Sequence, residues 1–257
     1  MLKSERLEQI QTMLEEYGKV EVSSLCRIFN VTEMTIRRDL NELEKRKVAI
    51  RSHGGAILPP EKILGERPYN SRISSHLKEK EAIAQAALPL LEDGSKYFFD
   101  SSTSVYALAR LINNTQNFLV VTDTISTALE LNSRKNLEVI CLGGELQKNT
   151  NSCTGVFAEQ MLKNMFFDYA FIGLYGVSED GILYTTSTME YSLKRLILDH
   201  SKKTIVLIDS SKLGPPSFLQ IGTISEIDTI ITDSNIPQSF VNFCRNAGTN
   251  LIIADVI

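Results

Sequence analysis

Two hydrophobic periodicities divide this sequence and predict an α/β fold with a small helical head. Up to Ile57, apolar side chains recur at the spacing of helices and then at that of two short strands. After residue 76, short apolar runs of strand length alternate with helical patterns, which predicts a mostly parallel sheet wrapped by helices. A chain of 257 residues accommodates one small and one medium domain.

In the head, Leu7, Ile10, Met13 and Leu14 form one apolar stripe, and Gly18 ends the helix that carries it. Val20 to Phe29, carrying Val22, Leu25, Ile28 and Phe29 behind Ser23, predicts a second short amphipathic helix. Phe29-Asn30-Val31 is just long enough to turn the chain. Thr32 then stands as N-cap with Glu33 in the first turn, and Ile36, Leu40 and Leu43 give the third helix its buried stripe. The opposite face carries Met34, Arg38, Asn41 and Lys45, flanked by Arg37 and Thr35, with no acid on it. Val48 to Ile57, bent at Gly54-Gly55, reads as two strands, so the head is a three-helix helix-turn-helix with a wing.

From Met34 to His53 the bases are Arg37, Arg38, Lys45, Arg46, Lys47 and Arg51, and the acids are Asp39, Glu42 and Glu44. This local excess sits on a chain whose formal net charge is -4, so contact with nucleic acid must come from the patch and not from the whole surface. A helix of this kind fits a major groove, where its side chains meet base edges while lysines and arginines beside it neutralise phosphates. A solvated charged face is the ordinary alternative. Helical spacing, a short turn and a basic wing coincide here, which favours double-stranded DNA as the partner and Met34, Thr35, Arg37, Arg38, Asn41, Lys45, Arg51 and His53 as the contacting residues.

Thr35-Ile36-Arg37-Arg38-Asp39-Leu40, Leu43-Glu44 and His53-Gly54-Gly55-Ala56 resemble the signature of the DeoR family of bacterial transcription regulators. The resemblance implies a winged helix-turn-helix joined to a sensor domain for a phosphorylated sugar or related metabolite. It also implies action as a repressor, most often of a carbohydrate-catabolic operon, and a homo-oligomer that presents paired recognition helices to a pseudo-palindromic operator.

The amino end, MLKSERLEQIQ, lacks the apolar run of a signal peptide, and no segment approaches bilayer length, so a cytoplasmic protein without membrane contact is expected. Cys26, Cys141, Cys153 and Cys244 show neither a CxxC pair nor regular spacing, which favours reduced thiols in core positions over zinc or disulfides. His53, His76 and His200 are scattered; no metal site, catalytic residue or cofactor is assigned.

The expected domains are residues 1–57 for the head, 58–76 for a linker interrupted by Pro59, Pro60, Gly65 and Pro68, and 77–257 for the α/β domain. Its strands are expected at Tyr97 to Phe99, Phe118 to Val121, Val139 to Leu142, Ala170 to Ile172, Thr204 to Ile208, Thr229 to Ile231 and Leu251 to Ile253. Helices are expected at Leu77 to Leu91, Thr103 to Ile112, Thr124 to Leu131, Gly155 to Met165, Thr188 to Asp199 and Pro237 to Asn246.

Ligands of open α/β sheets sit at the carboxyl ends of the strands. There the sequence places Asp100, Ser101, Ser102, Thr103 and Ser104 at a helix start, Gly143 and Gly144 at a turn, and Asp209 to Lys212 after a later strand. Ser187 and Glu190 fit a capping box on the helix that carries Lys194 and Arg195. Each of these has an ordinary structural use as a cap or turn; their convergence on one sheet edge is what marks an effector site.

These stretches also resemble the family's sensor domain, which is similar in fold to sugar-phosphate isomerases and coenzyme A transferases. The resemblance implies effector contacts from Asp100, Ser101, Ser102, Thr103, Ser104, Gly143, Gly144, Tyr175, Ser187, Glu190, Lys194 and Lys212. The chain departs from the pattern at Ser102 in place of Gly, Tyr175 in place of Asp and Ser187 in place of Asn, which removes easy access to positive φ at one position and a carboxylate at another. A sugar-phosphate isomerase or deaminase with a DNA-binding head would need Asp100 or Glu190 as its base. A large domain that only oligomerises is the third reading.

Overall fold

The computed structural model describes residues 2–52, 54–59, 69–214 and 216–256, without the side chains of Glu16 and Ser71. It divides into two compact units, Met1–Ser75 and His76–Ile257.

In the first unit, α1 (Lys3–Tyr17) ends at Gly18 with φ 72°, a left-handed cap that glycine adopts without steric penalty. β1 (Lys19–Glu21) follows, then α2 (Val22–Phe29) and α3 (Glu33–Lys45), with Asn30 at φ 50° making the turn between the helices. β2 (Ile50–Ser52) and β3 (Gly55–Ile57) form the wing hairpin. Two details differ from the sequence reading. Val20 lies in β1, which pairs with β3 to give the order β1-β3-β2, so α2 starts at Val22 and not at Val20. Ile28 is exposed, and Val22, Leu25 and Phe29 are the side chains of α2 that enter the core with Leu7, Ile10, Leu14, Ile36, Leu40 and Leu43. A three-residue run is too short for periodicity to separate it from a helix start. A six-residue helix, α4 (Tyr69–Ser74), packs on α1 within this unit; residues 60–68 of the expected linker lie outside the described residues.

The second unit is built on a seven-stranded sheet whose strand pairs are all parallel. In chain order the strands are β4 (Lys96–Phe99), β5 (Phe118–Thr122), β6 (Leu137–Cys141), β9 (Phe167–Ile172), β12 (Ser201–Leu207), β14 (Thr229–Asp233) and β15 (Asn250–Ala254). Every expected run is one of these strands. α5 (Leu77–Ala87), α6 (Thr103–Leu111) and α7 (Ile125–Asn132) cover one face; α8 (Val156–Leu162), α9 (Thr188–Asp199) and α10 (Gln238–Ala247) cover the other. The alternation along β4 shows why: Tyr97 and Phe99 enter the core beneath α5 and α6, whereas Phe98 enters the core beneath α8 and α9. Burial of both faces accounts for runs that are apolar throughout.

The sheet order β15-β14-β12-β9-β4-β5-β6 places a topological switch between β4 and β9, since the chain runs outward through β5 and β6 and returns on the other side of β4. Two smaller antiparallel pieces complete the unit: the hairpin of β7 (Glu145–Gln147) and β8 (Ser152–Thr154), and a sheet of β10 (Gly176–Val177), β11 (Ile182–Thr185) and β13 (Leu219–Thr223). All four cysteines are free. Cys153 and Cys244 are buried and Cys26 is half-buried, but Cys141 is exposed on the edge strand β6, contrary to a core role.

Candidate functional site

The outward face of α3 is assembled by its own cap and stripe. Thr32 Oγ1 accepts the Thr35 N–H at 3.4 Å and lies 3.1 Å from the Thr35 hydroxyl, so Thr35 is engaged in starting the helix. With Ile36, Leu40 and Leu43 fully buried, Met34, Arg37, Arg38, Asn41 and Lys45 are exposed together. Arg37 pairs with Glu33 at 3.3 Å, and the Arg38 guanidinium reaches the Met34 sulfur at 3.6 Å.

The acids of this region are already occupied. Asp39 turns into the core, where Arg6 Nε donates to its Oδ2 at 2.6 Å. Glu42 binds Lys3 at 2.5 Å and also Arg46, and Glu44 accepts the backbone N–H of Arg51 at 3.0 Å. The charges of Asp39 and Glu42 are thus compensated by bases of their own, which leaves the outward face of α3 basic. Arg51 is half-buried and its guanidinium donates to the Gly55 carbonyl at 2.9 Å, so it braces the wing, a use the sequence did not show. His53 lies outside the described residues.

The second group lies at the switch between β4 and β9. Asp100, buried at the end of β4, accepts the Ser102 N–H at 3.0 Å through Oδ1; through Oδ2 it accepts the Gly173 N–H at 2.9 Å and Lys194 Nζ at 2.6 Å. Lys194 also donates to the Gly173 carbonyl at 2.8 Å. One ion pair thus clasps the two diverging strands and α9. Burial disfavours the Lys194 ammonium, but the charges of Asp100 and Glu190 outweigh it and raise its pKa.

Ser101, Thr103 and Ser104 are buried beside this pair. Ser102 has φ -73°, and its Oγ accepts the Val105 N–H at 3.1 Å as the N-cap of α6. Glycine's positive φ is therefore not needed here. The close approach is taken up opposite, where a Cβ on Gly173 would lie 2.3 Å from the Ser102 Cβ. Ser187 caps α9 by accepting the Glu190 N–H at 3.3 Å, but the capping box stays half-made: Glu190 turns inward and accepts the Thr185 hydroxyl at 3.1 Å.

Gly143 and Gly144 are exposed, and a Cβ on Gly144 would meet the Thr154 carbonyl at 2.4 Å, so the second glycine serves the β7–β8 hairpin. Tyr175 and Lys212 are half-buried at the same end of the sheet, following β9 and β12. Asp209 accepts the Ser211 N–H at 3.1 Å and starts the turn Ser210–Lys212.

One residue escaped the sequence reading. Asp123 follows β5, the strand next to β4, and is 5% exposed; its Oδ1 has no hydrogen-bond partner. Burial, then the charge of Asp100, raises its pKa well above the ordinary value; Glu190 adds to the rise and Lys194 opposes it. The rule that selected Asp100, a polar residue just past an apolar run, selects Thr122-Asp123-Thr124 when applied to the next run. Among the described residues no group of three or more His, Cys, Asp or Glu could hold a metal ion, and no helix is long and apolar enough to cross a membrane.

Residues 6–62 match the DeoR-like helix-turn-helix domain, and residues 75–234 match the DeoR C terminal sensor domain. The chain is 34% identical over 257 residues to the HTH-type transcriptional repressor GlcR of Bacillus subtilis, covering 99% of this chain and 98% of the relative. It is 30% identical to the glycerol-3-phosphate regulon repressor of Escherichia coli, over 93% of this chain and 94% of that one. The HTH-type transcriptional regulator GolR of Listeria innocua is 32% identical, over 99% of this chain and 100% of its own. Among solved structures, ribose 5-phosphate isomerase A of Methanocaldococcus jannaschii shares 16% identity with a TM-score of 0.41, over 55% of this chain and 56% of its own. With both domain models matched in order and relatives alike from end to end, the chain belongs to the DeoR family.

Proposed function

We propose that this chain is a sequence-specific DNA-binding transcription regulator, a repressor of a carbohydrate operon, released from its operator by a phosphorylated sugar or related metabolite. The observation that carries the first half is the exposed face of Arg38, Asn41 and Lys45 on α3, beside a wing and with the nearby acids engaged elsewhere. The relatives, named as repressors, one of them of a glycerol-3-phosphate regulon, support repression and a phosphorylated effector. The protein acts as a homo-oligomer, two copies placing their α3 helices on the halves of a pseudo-palindromic site.

The second half rests on the polar cluster at the switch between β4 and β9, where α/β sheets take their ligands. An effector shifts DNA affinity only if it binds the competent and incompetent states unequally. The relatives, named as repressors and regulators, support a domain that senses its ligand without turning it over; Asp100 and Glu190, the bases nominated from the sequence, hold Lys194, Ser102, Gly173 and Thr185 here.

Selection of genomic fragments by the full-length protein, followed by gel-shift titration, tests this reading. A fragment bound well above bulk competitor DNA, and released by a phosphorylated metabolite, is the expected result. Uniform affinity for all fragments, or turnover of a phosphosugar that disappears with Glu190→Gln, overturns it.

A further inference from the structure

We propose that Asp123 reads a hydroxyl group of the effector, and that this neutral end of the ligand, not its phosphate, lodges against the Asp100–Lys194 pair. The inference rests on the sensor reading above and deepens it by naming which part of the ligand meets which part of the site.

Asp123 is the carboxyl group of the cluster that, among the described residues, has a fully buried oxygen without a partner. Asp100, Glu190 and Lys194 all hold protein partners, whereas the Oδ1 of Asp123, 95% out of solvent, has none. An unsatisfied buried polar atom costs about 1–3 kcal/mol, and folds retain such atoms where a ligand, a reaction, an ordered water or an ion uses them. Its position fits that use: it ends the strand beside β4, at the ligand-binding end of the sheet.

The charges around it decide what it can receive. The groups that act on it are Asp100 from the end of β4 and Glu190 and Lys194 from α9, and its own charge in turn raises the pKa of the thiols Cys141 on β6 and Cys153 on β8. Three carboxyl groups share one ammonium, and that ammonium already lies 2.6 Å from Asp100. A phosphate placed against this pair would bring further negative charge beside three carboxyl groups and the one ammonium that acts on Asp123, which Asp100 already holds, an arrangement that low dielectric penalises. A protonated carboxyl has one O–H to give and lone pairs to accept, which matches a hydroxyl that does both. An ammonium ligand would instead require the ionised form.

The test uses the full-length protein with glycerol 3-phosphate, glucose 6-phosphate, sorbitol 6-phosphate, glucosamine 6-phosphate and inorganic phosphate as probes, read by thermal shift and calorimetric titration. A probe that stabilises the wild type should bind Asp123→Asn within about threefold, because the carboxamide also donates and accepts, and Asp123→Ala at least tenfold more weakly. Its single-deoxy analogues give a readout on the wild type alone: one of them should lose about tenfold there, and lose nothing further on Asp123→Ala. Equal binding to wild type and Asp123→Ala, or no loss for any deoxy analogue, overturns the inference while leaving the sensor reading intact. So does preference for glucosamine 6-phosphate with loss on Asp123→Asn, which identifies a cation at this position. Failure of every probe to stabilise the wild type overturns the sensor reading and the inference with it.

Discussion

Arg6 Nε lies 2.6 Å from Asp39 Oδ2, and this pair, with both side chains buried, fastens α1 to the inward face of α3. Asp39 stands in the middle of the most basic stretch of the chain, yet its charge is spent on the scaffold. Breaking a buried pair by removing one partner leaves an uncompensated charge and costs about 3–5 kcal/mol. Arg6→Ala and Asp39→Ala should each strip amide-exchange protection from α1 and α3 and abolish operator binding. Arg6→Met with Asp39→Leu should recover much of the protection, since the double change removes both charges. Unchanged protection in either single variant would show that the pair does not hold the head together.

Arg38 and Arg37 are adjacent but should behave differently. Arg37 is tied to Glu33 in an exposed pair, a contact worth little to stability, whereas Arg38 projects with Met34 from the centre of the outward face. Arg38→Ala should weaken specific binding by about 1–3 kcal/mol and relax preference at one base pair. Lys45→Ala should weaken all sequences alike and reduce the salt slope by about one. Competition gel shifts at several salt concentrations separate the two; equal loss on specific and bulk DNA would remove Arg38 from the reading face.

Gly55 admits no side chain. A Cβ there would lie 1.8 Å from the Val20 carbonyl oxygen, where β1 pairs with β3, and backbone on both sides cannot yield. Gly55→Ala should therefore part the two strands and destabilise the head by more than the roughly 1–3 kcal/mol of an ordinary overpacked core. Gly54→Ala, with nothing within 4 Å, is the matched control and should melt close to wild type. Equal melting of the two variants would refute the packing argument.

The Asp100–Lys194 pair makes the same demand on the sensor unit. Lys194→Met leaves Asp100 buried without its cation and should cost about 3–5 kcal/mol, with partial recovery in Asp100→Asn/Lys194→Met. Because the folded pKa of Lys194 is raised, its contribution is complete below the unfolded value near 10.4 and fades only above it. The deficit of Lys194→Met is therefore read in urea unfolding near pH 7, well below that value, where the wild-type ammonium is fully charged in both states. A variant as stable as wild type would mean that the clasp between β4 and β9 is held by other bonds.

How far the sequence could be read follows from the range of the interactions involved. Strands buried on both faces, such as Tyr97 to Phe99, and helices with a single apolar stripe, such as Ile36, Leu40 and Leu43, declare themselves in consecutive residues. Caps are equally local, and Thr32, Ser102 and Ser187 all serve as such. β1 was hidden because its three residues acquire strand geometry only by pairing with β3 across the head. The inward turn of Asp39, the bracing role of Arg51 and the Asp100–Lys194 pair were hidden for the same reason, since each partner is set by tertiary packing. Asp123 is a different case: its position was legible, but its lack of a partner is a property of the assembled cluster.

Asp123 should make the protein less stable as pH rises. Its pKa is raised in the folded protein by burial and by Asp100, while in the unfolded chain it titrates near 3.9. Between those two values the folded state holds a proton that the unfolded state has released, so stability falls through that interval and the penalty persists above it. Asp123→Asn keeps the shape of the side chain and abolishes the titration. In urea unfolding without ligand it should be more stable than wild type at pH 7, and the gap should narrow toward about pH 4 and close below about pH 3, where the carboxyl is neutral in both states. The comparison between the two proteins cancels the carboxylates outside the cluster, which titrate alike in each. A gap independent of pH, or an asparagine variant weaker than wild type at neutral pH, would mean that the carboxyl gains a compensating partner in solution and carries no stored penalty for an effector to relieve.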